Sequence, residues 1–324
     1  MAAYASIFKA PRPVTAIVGS GAVARVLALR MVDKGYPVEA IISRTCAHAE
    51  DLARSVGAKI GSDSYSDLPP DVQLIVICVA DSALPYVAES LTAARHDWPE
   101  TVVAHTSGAL GSSVLEPLSA EGASVLSFHP LQTVTGASSP SVLDDAYVGI
   151  EGNEKAVSAG IELAVGLGLR YIVLSSDAKV RYHLAATMAS NFFVTLIGMV
   201  HEVLASLDID REDGQAMMEP LVRGTLGSLG RSTPEEALTG AVVRGDLSTL
   251  KEHGAALRKH LPHLVPAYAS MTIEAVRLGV RSGRLDPERA EEVLELMQKL
   301  VTTPLPSHGG SGASSIWRHT SVEV

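Results

Sequence analysis

A lysine, a histidine and an asparagine in the second half of the chain form the strongest candidate for catalysis. Lys179 and His183 are four residues apart, and Asn191 lies eight residues beyond His183. At 3.6 residues per turn, the three side chains are expected on roughly one face of a helix. That face is otherwise apolar, so Lys179 should be partly desolvated and suited to act as an acid or as a partner of a developing oxyanion. A lysine that extends to the surface beside a core histidine is the structural alternative.

A second candidate is a glycine-rich stretch near the N-terminus, Gly19-Ser20-Gly21-Ala22-Val23-Ala24. It follows the apolar run Val14–Val18 and opens a stretch with helical apolar periodicity. In such a strand-to-helix turn, Gly19 permits the tight turn, Gly21 lets the backbone approach a pyrophosphate, and Ala24 allows close packing. An ordinary turn is the alternative, but this context favours a dinucleotide site.

The residues after the second predicted strand indicate which dinucleotide is bound. Val38–Ile42 runs into Ser43-Arg44-Thr45, and no carboxylate follows before Glu50. An NAD site would place Asp or Glu there for the ribose hydroxyls, whereas a guanidinium with two hydroxyls suits a 2′-phosphate. We therefore expect NADP(H). The alternative is that Arg44 is a solvated surface charge.

Further candidate residues follow later predicted strands. Ligands of open α/β sheets bind beyond the carboxyl ends of the strands, so these positions are expected to line the cofactor and substrate sites. The residues assigned to the cofactor are Val79, Ala80, Asp81, His105 and Ser107, and those assigned to the substrate are His129, Gln132 and Ser190. For each of them, capping or turn formation is the alternative.

The elements that must position these residues change character near the middle of the chain. Short β-branched runs alternate with helical patterns up to Val173, and helical patterns alone follow Ser175. This predicts a Rossmann-like α/β domain with a mostly parallel, doubly wound sheet, followed by an all-α domain. The predicted strands are Val14–Val18, Val38–Ile42, Leu74–Val79, Thr101–Ala104, Ser124–Phe128, Tyr147–Ile150 and Tyr171–Val173. The predicted parts are an N-terminal extension at 1–13, an NADP-binding domain at 14–174, a helical substrate and dimerisation domain at 175–303, and a flexible tail at 304–324.

Composition excludes several classes of function. The 324 residues carry 26 Lys and Arg against 36 Asp and Glu, a net charge of −10, so nucleic acid is not an expected partner. Cys46 and Cys78 are too few for a disulfide framework, and neither they nor the histidines show the spacing of a metal site. The longest uninterrupted apolar run, Leu74–Ala80, is far shorter than a membrane helix, and no signal peptide pattern is visible. We expect a cytoplasmic protein that does not span a membrane and binds no metal.

From Val14 to about Val301 the chain resembles the Rossmann-like oxidoreductases that carry a C-terminal domain of unknown function 2520. It resembles ketopantoate reductase, pyrroline-5-carboxylate reductase and the 3-hydroxyacid dehydrogenases more distantly. The resemblance is carried by Gly19–Ala24, Ser43-Arg44-Thr45, His105-Thr106-Ser107-Gly108, Ser127-Phe128-His129-Pro130-Leu131-Gln132, residues 179–186, Ser190-Asn191, Leu238-Thr239-Gly240 and Arg244-Gly245-Asp246. In the 3-hydroxyacid dehydrogenases a helix bears Lys and, four residues later, Asn. Lys179 matches the first, but His183 replaces the second, and the glycine-rich stretch of those enzymes before the lysine is missing here.

The resemblance implies an NADPH-dependent reductase of a small carbonyl compound, with a 2-oxo acid such as ketopantoate as the leading substrate class. Lys179 would polarise or protonate the substrate oxygen, and His183 and Asn191 would orient the substrate. An imine reductase of the pyrroline-5-carboxylate type is one alternative, and a non-catalytic NADP-binding sensor or scaffold is another. Several apolar faces in the helical half also predict a homodimer formed mainly through residues 176–300.

Overall fold

The computed structural model describes residues 12–94 and 98–304, and the chain divides into two compact units. The first unit ends at Phe193 and the second begins at Val194. The predicted domain boundary at 174/175 marks the end of the sheet. The boundary between the compact units lies nineteen residues later, because the helix that carries Lys179 packs on the sheet. The predicted extension at 1–13 and tail at 304–324 lie, apart from residues 12, 13 and 304, outside the described residues.

The first unit is organised around a sheet that has eight strands in the described ranges. The strands are β1 Thr15–Val18, β2 Val38–Ile42, β3 Ile60–Ser62, β4 Leu74–Ile77, β5 Val102–His105, β6 Ser124–Leu131, β7 Tyr147–Gly152 and β8 Arg170–Val173. Their order is β3-β2-β1-β4-β5-β6-β7-β8, and the β6–β7 pair is antiparallel while the other pairs are parallel. The predicted fold class, a mostly parallel sheet in a Rossmann-like domain followed by helices, is confirmed.

Helices cover both faces of this sheet and continue through the second unit. They are α1 Ala22–Asp33, α2 Cys46–Val56, α3 Leu84–Ala94, α4 Glu116–Ala120, α5 Glu154–Leu167, α6 Lys179–Thr187, α7 Phe193–Ala205, α8 Arg211–Leu229, α9 Pro234–Ala237, α10 Leu247–His260, α11 Val265–Arg281 and α12 Pro287–Thr302. A π-helical turn, Met188–Phe192, joins α6 to α7. The apolar faces of α1, α2 and α5 form one core with the sheet, and those of α3 and α4 form another on the opposite face.

The sequence patterns located seven of the eight strands within a few residues. The missed strand, β3, has only three residues and contains Gly61, so it shows no apolar run. A side chain at Gly61 would collide with the backbone of Glu50 in α2, since a Cβ atom there would lie 2.6 Å from the Cα of Glu50. The glycine therefore serves the packing of α2 against the sheet, at the expense of the strand pattern.

The second unit has its own core between α10, α11 and α12. Its central residues are Leu250, Val265, Ala269, Val276, Val293 and Met297. Thr233 caps α9 with a complete capping box, and the carboxylate of Asp286 caps α12. The side chain of Asp246 caps α10 in the same way.

A helical run in the middle of the chain has the length and apolar composition of a membrane-spanning segment. It covers Ser176–Ala205, and none of its most apolar window is buried. By contrast, a core helix of this composition would be buried. The expectation that the chain does not span a membrane therefore stays a prediction.

Candidate active site

The glycine-rich turn connects β1 to α1 with a backbone that only glycine accommodates at its first position. Gly19 has a φ of +118°, and a Cβ atom there would lie 2.2 Å from the carbonyl oxygen of Cys78 on the neighbouring strand. Gly21 differs, because it is exposed at the N-cap of α1 and a Cβ atom there would meet nothing within 4 Å. The packing of the described chain requires Gly19 but leaves the space at Gly21 open.

The end of β2 lies beside this turn. The amide of Gly19 donates to the carbonyl oxygen of Ile42 over 2.7 Å, and the hydroxyls of Ser20 and Ser43 are 2.8 Å apart. Arg44 and Thr45 are exposed. The structure thus brings Ser20 and Ser43 together near the start of α1, and the adenosine ribose site with Arg44 stays a prediction.

Lys179 is buried at the carboxyl ends of the central strands, with 1% of its surface exposed. Its Nζ atom donates to the carbonyl oxygen of Ser107 over 3.0 Å and to Oγ of Ser127 over 2.6 Å. Ser127 in turn donates to the same carbonyl oxygen over 3.2 Å. The ammonium is therefore fixed by the loop after β5 and by β6.

Burial of Lys179 has a different origin from the predicted one. The apolar side chains that were expected to desolvate it are themselves more than one third exposed: Leu184, Met188, Phe192 and Leu196. The sheet desolvates the lysine instead, and burial lowers the pKa of Lys179 to about 8 although the charges of Glu151 and Asp81 raise it. An ammonium with this pKa can release a proton near neutral pH.

His105 stabilises the turn that holds Ser107. Its Nδ1 atom accepts from the backbone amide of Ser107 over 3.2 Å, so Nε2 carries the proton and donates to the carbonyl oxygen of Gly111 over 3.1 Å. Burial lowers the pKa of His105 to about 4, which keeps the ring neutral at pH 7. His105 was predicted to bind the cofactor. In the structure both ring nitrogens are occupied by the turn, so its observed role is to shape the site.

His129, Tyr182 and His183 lie together above the same strand ends. The ring centroids of His129 and His183 are 6.1 Å apart, and Nδ1 of His129 is 3.3 Å from the hydroxyl of Tyr182. Both imidazoles pack over Gly108, where a Cβ atom would lie 2.5 Å from Cδ2 of His183 and 2.9 Å from Nε2 of His129. Burial, followed by the charge of Lys179, lowers the pKa of His129 to about 4. The site thus contains a buried ammonium next to a neutral imidazole.

The remaining predicted residues are less clearly part of this cluster. Asp81 is exposed, as are Ala80 and Asn191, while Val79 is half-buried. Val23, His129 and Gln132 line a cavity of about 160 Å³. The amide of Gln132 is used by its own loop, since it donates to Val142 and accepts from the amide of Thr133.

Ser190 and Asn191 lie in the π-helical turn, which was not expected. A π-helix has i→i+5 hydrogen bonds and changes the register of the side chains. The argument that placed Asn191 on one face with Lys179 and His183 assumed a regular α-helix, so the structure removes its basis. Ser190 contacts Thr133 instead, with 2.9 Å between the hydroxyls.

Four residues of the cluster were not assigned from the sequence: Gly108, Ser127, Glu151 and Tyr182. Glu151 carried a usable signal, since it is a carboxylate that directly follows an apolar strand pattern. Gly108, Ser127 and Tyr182 lie within the motifs that carry the family resemblance, but their contacts with one another follow only from the tertiary structure. Among residues 12–94 and 98–304, no group of three or more His, Cys, Asp or Glu side chains could hold a metal ion.

Comparison with known solved structures shows the same fold in reductases. The chain superimposes on protein BF3122 from Bacteroides fragilis, assigned as an NADP oxidoreductase, with a TM-score of 0.69, 22% identity and coverage of 83% of this chain and 99% of that one. A reductive aminase from Aspergillus terreus in complex with NADPH and ethyl-5-oxohexanoate superimposes with a TM-score of 0.56 and 15% identity. The match covers 92% of this chain and 96% of that one. A pyrroline-5-carboxylate reductase from Coxiella burnetii superimposes with a TM-score of 0.53 and 14% identity. The match covers 90% of this chain and 99% of that one. A comparison with curated proteins found no match.

Family models match both parts of the chain. Residues 2–130 match a Rossmann-like domain, and residues 146–275 match a domain of unknown function, DUF2520. This confirms the combination that the sequence motifs predict. In this chain a match to a Rossmann-like domain is thus followed by a match to DUF2520.

Proposed function

We propose that this protein is an NADPH-dependent reductase of a small carbonyl or imine compound. The observation that carries the proposal is the position of Lys179, which is buried at the carboxyl ends of β5 and β6, in the same sheet edge as the glycine-rich turn after β1. Ligands of open α/β sheets bind along this edge. A non-catalytic sensor would not need a buried ammonium there.

The residues at the turn fit a dinucleotide phosphate. Gly21 is not required by the packing of the protein, but a side chain there would fill the open space at the N-terminus of α1. A helix N-terminus with a glycine at this point accepts a pyrophosphate, because the free backbone amides and the helix dipole favour negative charge. Ser43 and Arg44 would hold the 2′-phosphate, since a guanidinium binds phosphate with two parallel hydrogen bonds.

The chemistry that NADPH supplies when bound is a hydride. Lys179 has three N–H donors, of which Ser107 and Ser127 accept two, and the third is available to a substrate oxygen or nitrogen. The ammonium would stabilise negative charge on that atom and donate a proton to it. His183 and His129 would orient the substrate above Gly108, where their two rings meet.

Both carbonyl and imine substrates fit this arrangement. Protonation of the reduced atom is needed for C=O and C=N alike, so one ammonium serves either reaction. The fold is shared with a reductive aminase and a pyrroline-5-carboxylate reductase, which supports the inclusion of imines among the substrates to test. We propose 2-oxo acids, ketopantoate among them, as the first class to test and cyclic imines as the second.

We further propose that the protein works as a cytoplasmic homodimer. Large apolar side chains are more than half exposed in each unit, for example Leu184 and Phe192 in the first and Leu207 and Leu221 in the second. A second copy of the chain would cover such surfaces. The net charge of −10 and two unpaired cysteines support a reducing compartment without nucleic acid.

The decisive experiment is NADPH oxidation measured against a panel of 2-oxo acids and cyclic imines, with NADH in parallel. Turnover of one class with NADPH is expected, and Gly21→Val should abolish cofactor binding while the protein still folds, because the new side chain meets open space and the poorer helix cap costs only about 1 kcal/mol. Tight NADPH binding with no turnover of any panel member would favour the sensor. Equal NADPH binding by wild type and Gly21→Val would contradict the cofactor site.

A further inference from the structure

Three polar side chains form a buried row across β5, β6 and β7. His105 pairs with Ser127 in the parallel pair, and Ser127 pairs with Glu151 in the antiparallel pair. Directly paired residues on neighbouring strands project their side chains to the same face, about 5 Å apart. All three residues are at most 3% exposed. Because Lys179 donates to Ser127, the middle member, its ammonium lies over a row that ends in a carboxylate.

Glu151 also ties together the two segments that hold Lys179. Its carboxylate accepts the backbone amide of Ser112 over 2.6 Å and the hydroxyl of Ser112 over 3.0 Å. It accepts the hydroxyl of Ser176 over 2.6 Å. Ser112 lies in the turn that follows the β5 loop, and Ser176 lies three residues before Lys179. One carboxylate thus joins that turn to the start of α6.

The charges around Lys179 single out Glu151. Asp81 also faces the lysine but is exposed, so water weakens its effect. His105 and His129 carry no charge at pH 7, because burial lowers the pKa of each to about 4, and Tyr182 stays protonated since burial raises its pKa to about 12. His183 is half-buried beside His129, with 6.1 Å between the two ring centroids.

We propose that Glu151 is a positioning residue, which supplies the buried negative charge opposite Lys179 and anchors the β5 turn and the start of α6 around the ammonium. A buried charge lowers the stability of the fold unless another charge or hydrogen bonds compensate it. Removal of one partner therefore leaves the other buried without compensation. The proximity of the two charges follows from the register that pairs Ser127 with Glu151 and from the hydrogen bond of Lys179 to Ser127. Its role in proton donation rests on the proposed reductase function.

The first test measures the pairing without any substrate. Urea unfolding midpoints are compared for wild type, Glu151→Gln, Lys179→Met and the double variant. We expect each single variant to lose stability and the double variant to lose less than the sum of both losses, because no uncompensated charge is left. The matched control combines Lys179→Met with Glu89→Gln, an exposed carboxylate on α3, for which the losses should add. Additive losses in the Glu151 cycle would overturn the proposal.

The second test measures the pH profile of kcat on the best substrate. Without the negative charge the ammonium loses its proton more easily, so Glu151→Gln should move the high-pH limb of kcat to lower pH by about one unit. Ser112→Ala and Ser176→Ala remove hydrogen bonds to Glu151 but keep its charge. The high-pH limb of kcat in these variants should therefore stay at the wild-type pH. A limb that does not move in Glu151→Gln would overturn the role in the reaction.

Two further outcomes are also decisive. If Glu151→Gln does not fold alone, recovery of folded protein in the double variant supports the pairing, and failure of recovery while Lys179→Met folds overturns it. Non-additive stability in the absence of turnover by any variant, wild type included, supports the pairing and counts against the proposed reductase function instead.

Discussion

Lys179 donates a 2.6 Å hydrogen bond to Ser127, a serine 52 residues earlier whose own side chain is fully buried. The bond joins the first helix after the sheet to the interior of β6. It converts a side chain that could have extended to solvent into a fixed donor at the edge of the sheet. This placement, and the cofactor site beside it, have consequences that substitutions can measure.

Lys179→Ala should lower kcat by roughly 10²–10⁴-fold, the range for one acid or base group, and change NADPH affinity little. The wild-type rate should fall as the pH rises through about 8, because the ammonium loses its proton there. Lys179→Arg should not restore full activity, since a guanidinium does not release a proton near neutrality. Steady-state kinetics between pH 6 and 10 measure both effects. Near wild-type turnover of Lys179→Ala would refute a catalytic lysine.

His183→Asn is the companion variant for this prediction. It introduces the residue type of the related 3-hydroxyacid dehydrogenases four residues after the lysine. If His183 only orients the substrate through a hydrogen bond, much of kcat should survive. A loss as large as that of Lys179→Ala would instead assign His183 to proton transfer.

Arg44→Ala should weaken NADPH binding by about 1.5–3 kcal/mol, the range for a hydrogen bond to a charged group, and leave NADH binding nearly unchanged. The reason is that the exposed guanidinium beside Ser43 would contact the 2′-phosphate and no other part of the cofactor. Isothermal titration with both cofactors measures the difference. Equal losses for NADPH and NADH would show that Arg44 has no part in the choice between them.

Gly108→Ala should disturb the two imidazoles of the site, because a Cβ atom would lie within 3 Å of both His183 and His129. Crowding of this kind costs about 1–3 kcal/mol in stability. We expect kcat to fall at least about tenfold, by misplacement of the reacting groups, while NADPH affinity is retained. Gly136→Ala, where a Cβ atom meets nothing within 4 Å, is the control and should behave as wild type. Unchanged kcat in Gly108→Ala would show that the two rings do not contact the substrate.

Stability should fall as the pH drops from about 6.5 to about 4. Burial lowers the folded-state pKa of His105 to about 4, so the unfolded chain binds a proton more tightly in this window. The stabilisation is complete above pH 6.5 and amounts to roughly 2–4 kcal/mol at 1.36 kcal/mol per pKa unit. Unfolding by urea at pH 7 and 4.5 measures it. His105→Gln should reduce the difference, whereas His48→Gln, at an exposed position, should not. Equal pH dependence in both variants would contradict the prediction.

Light scattering should give a mass near twice the 34.0 kDa of the chain at micromolar concentration. Leu184→Glu, on the exposed apolar face of α6, should shift the protein toward the monomer because a charge cannot be buried in an apolar interface. Tyr86→Glu replaces a more exposed apolar residue on α3 and should leave the mass unchanged. A wild-type monomer would contradict the dimer, and its association with lipid vesicles would indicate that a membrane covers this face instead.

Local patterns in the sequence determined most of the fold and the cofactor end of the site. Alternation of β-branched runs with helical patterns is a property of neighbouring residues, so it located every strand except the three-residue β3. The turn at Gly19 and Gly21, followed by Ser43-Arg44-Thr45 one strand later, depends on spacing within about 25 residues. In the structure the turn and the end of β2 lie side by side, since Gly19 bonds to Ile42 and Ser20 contacts Ser43.

The tertiary structure decided what surrounds Lys179. Strand register pairs Ser127 with Glu151, 24 residues later, and the packing of α6 brings Lys179 to Ser127, 52 residues earlier. Neither relationship leaves a periodic trace in the sequence. The π-helical turn at Met188–Phe192 then shifted Asn191 out of the register that a regular helix would give. Long-range pairing and local departures from regular helix geometry depend on packing, and packing is set by the whole chain.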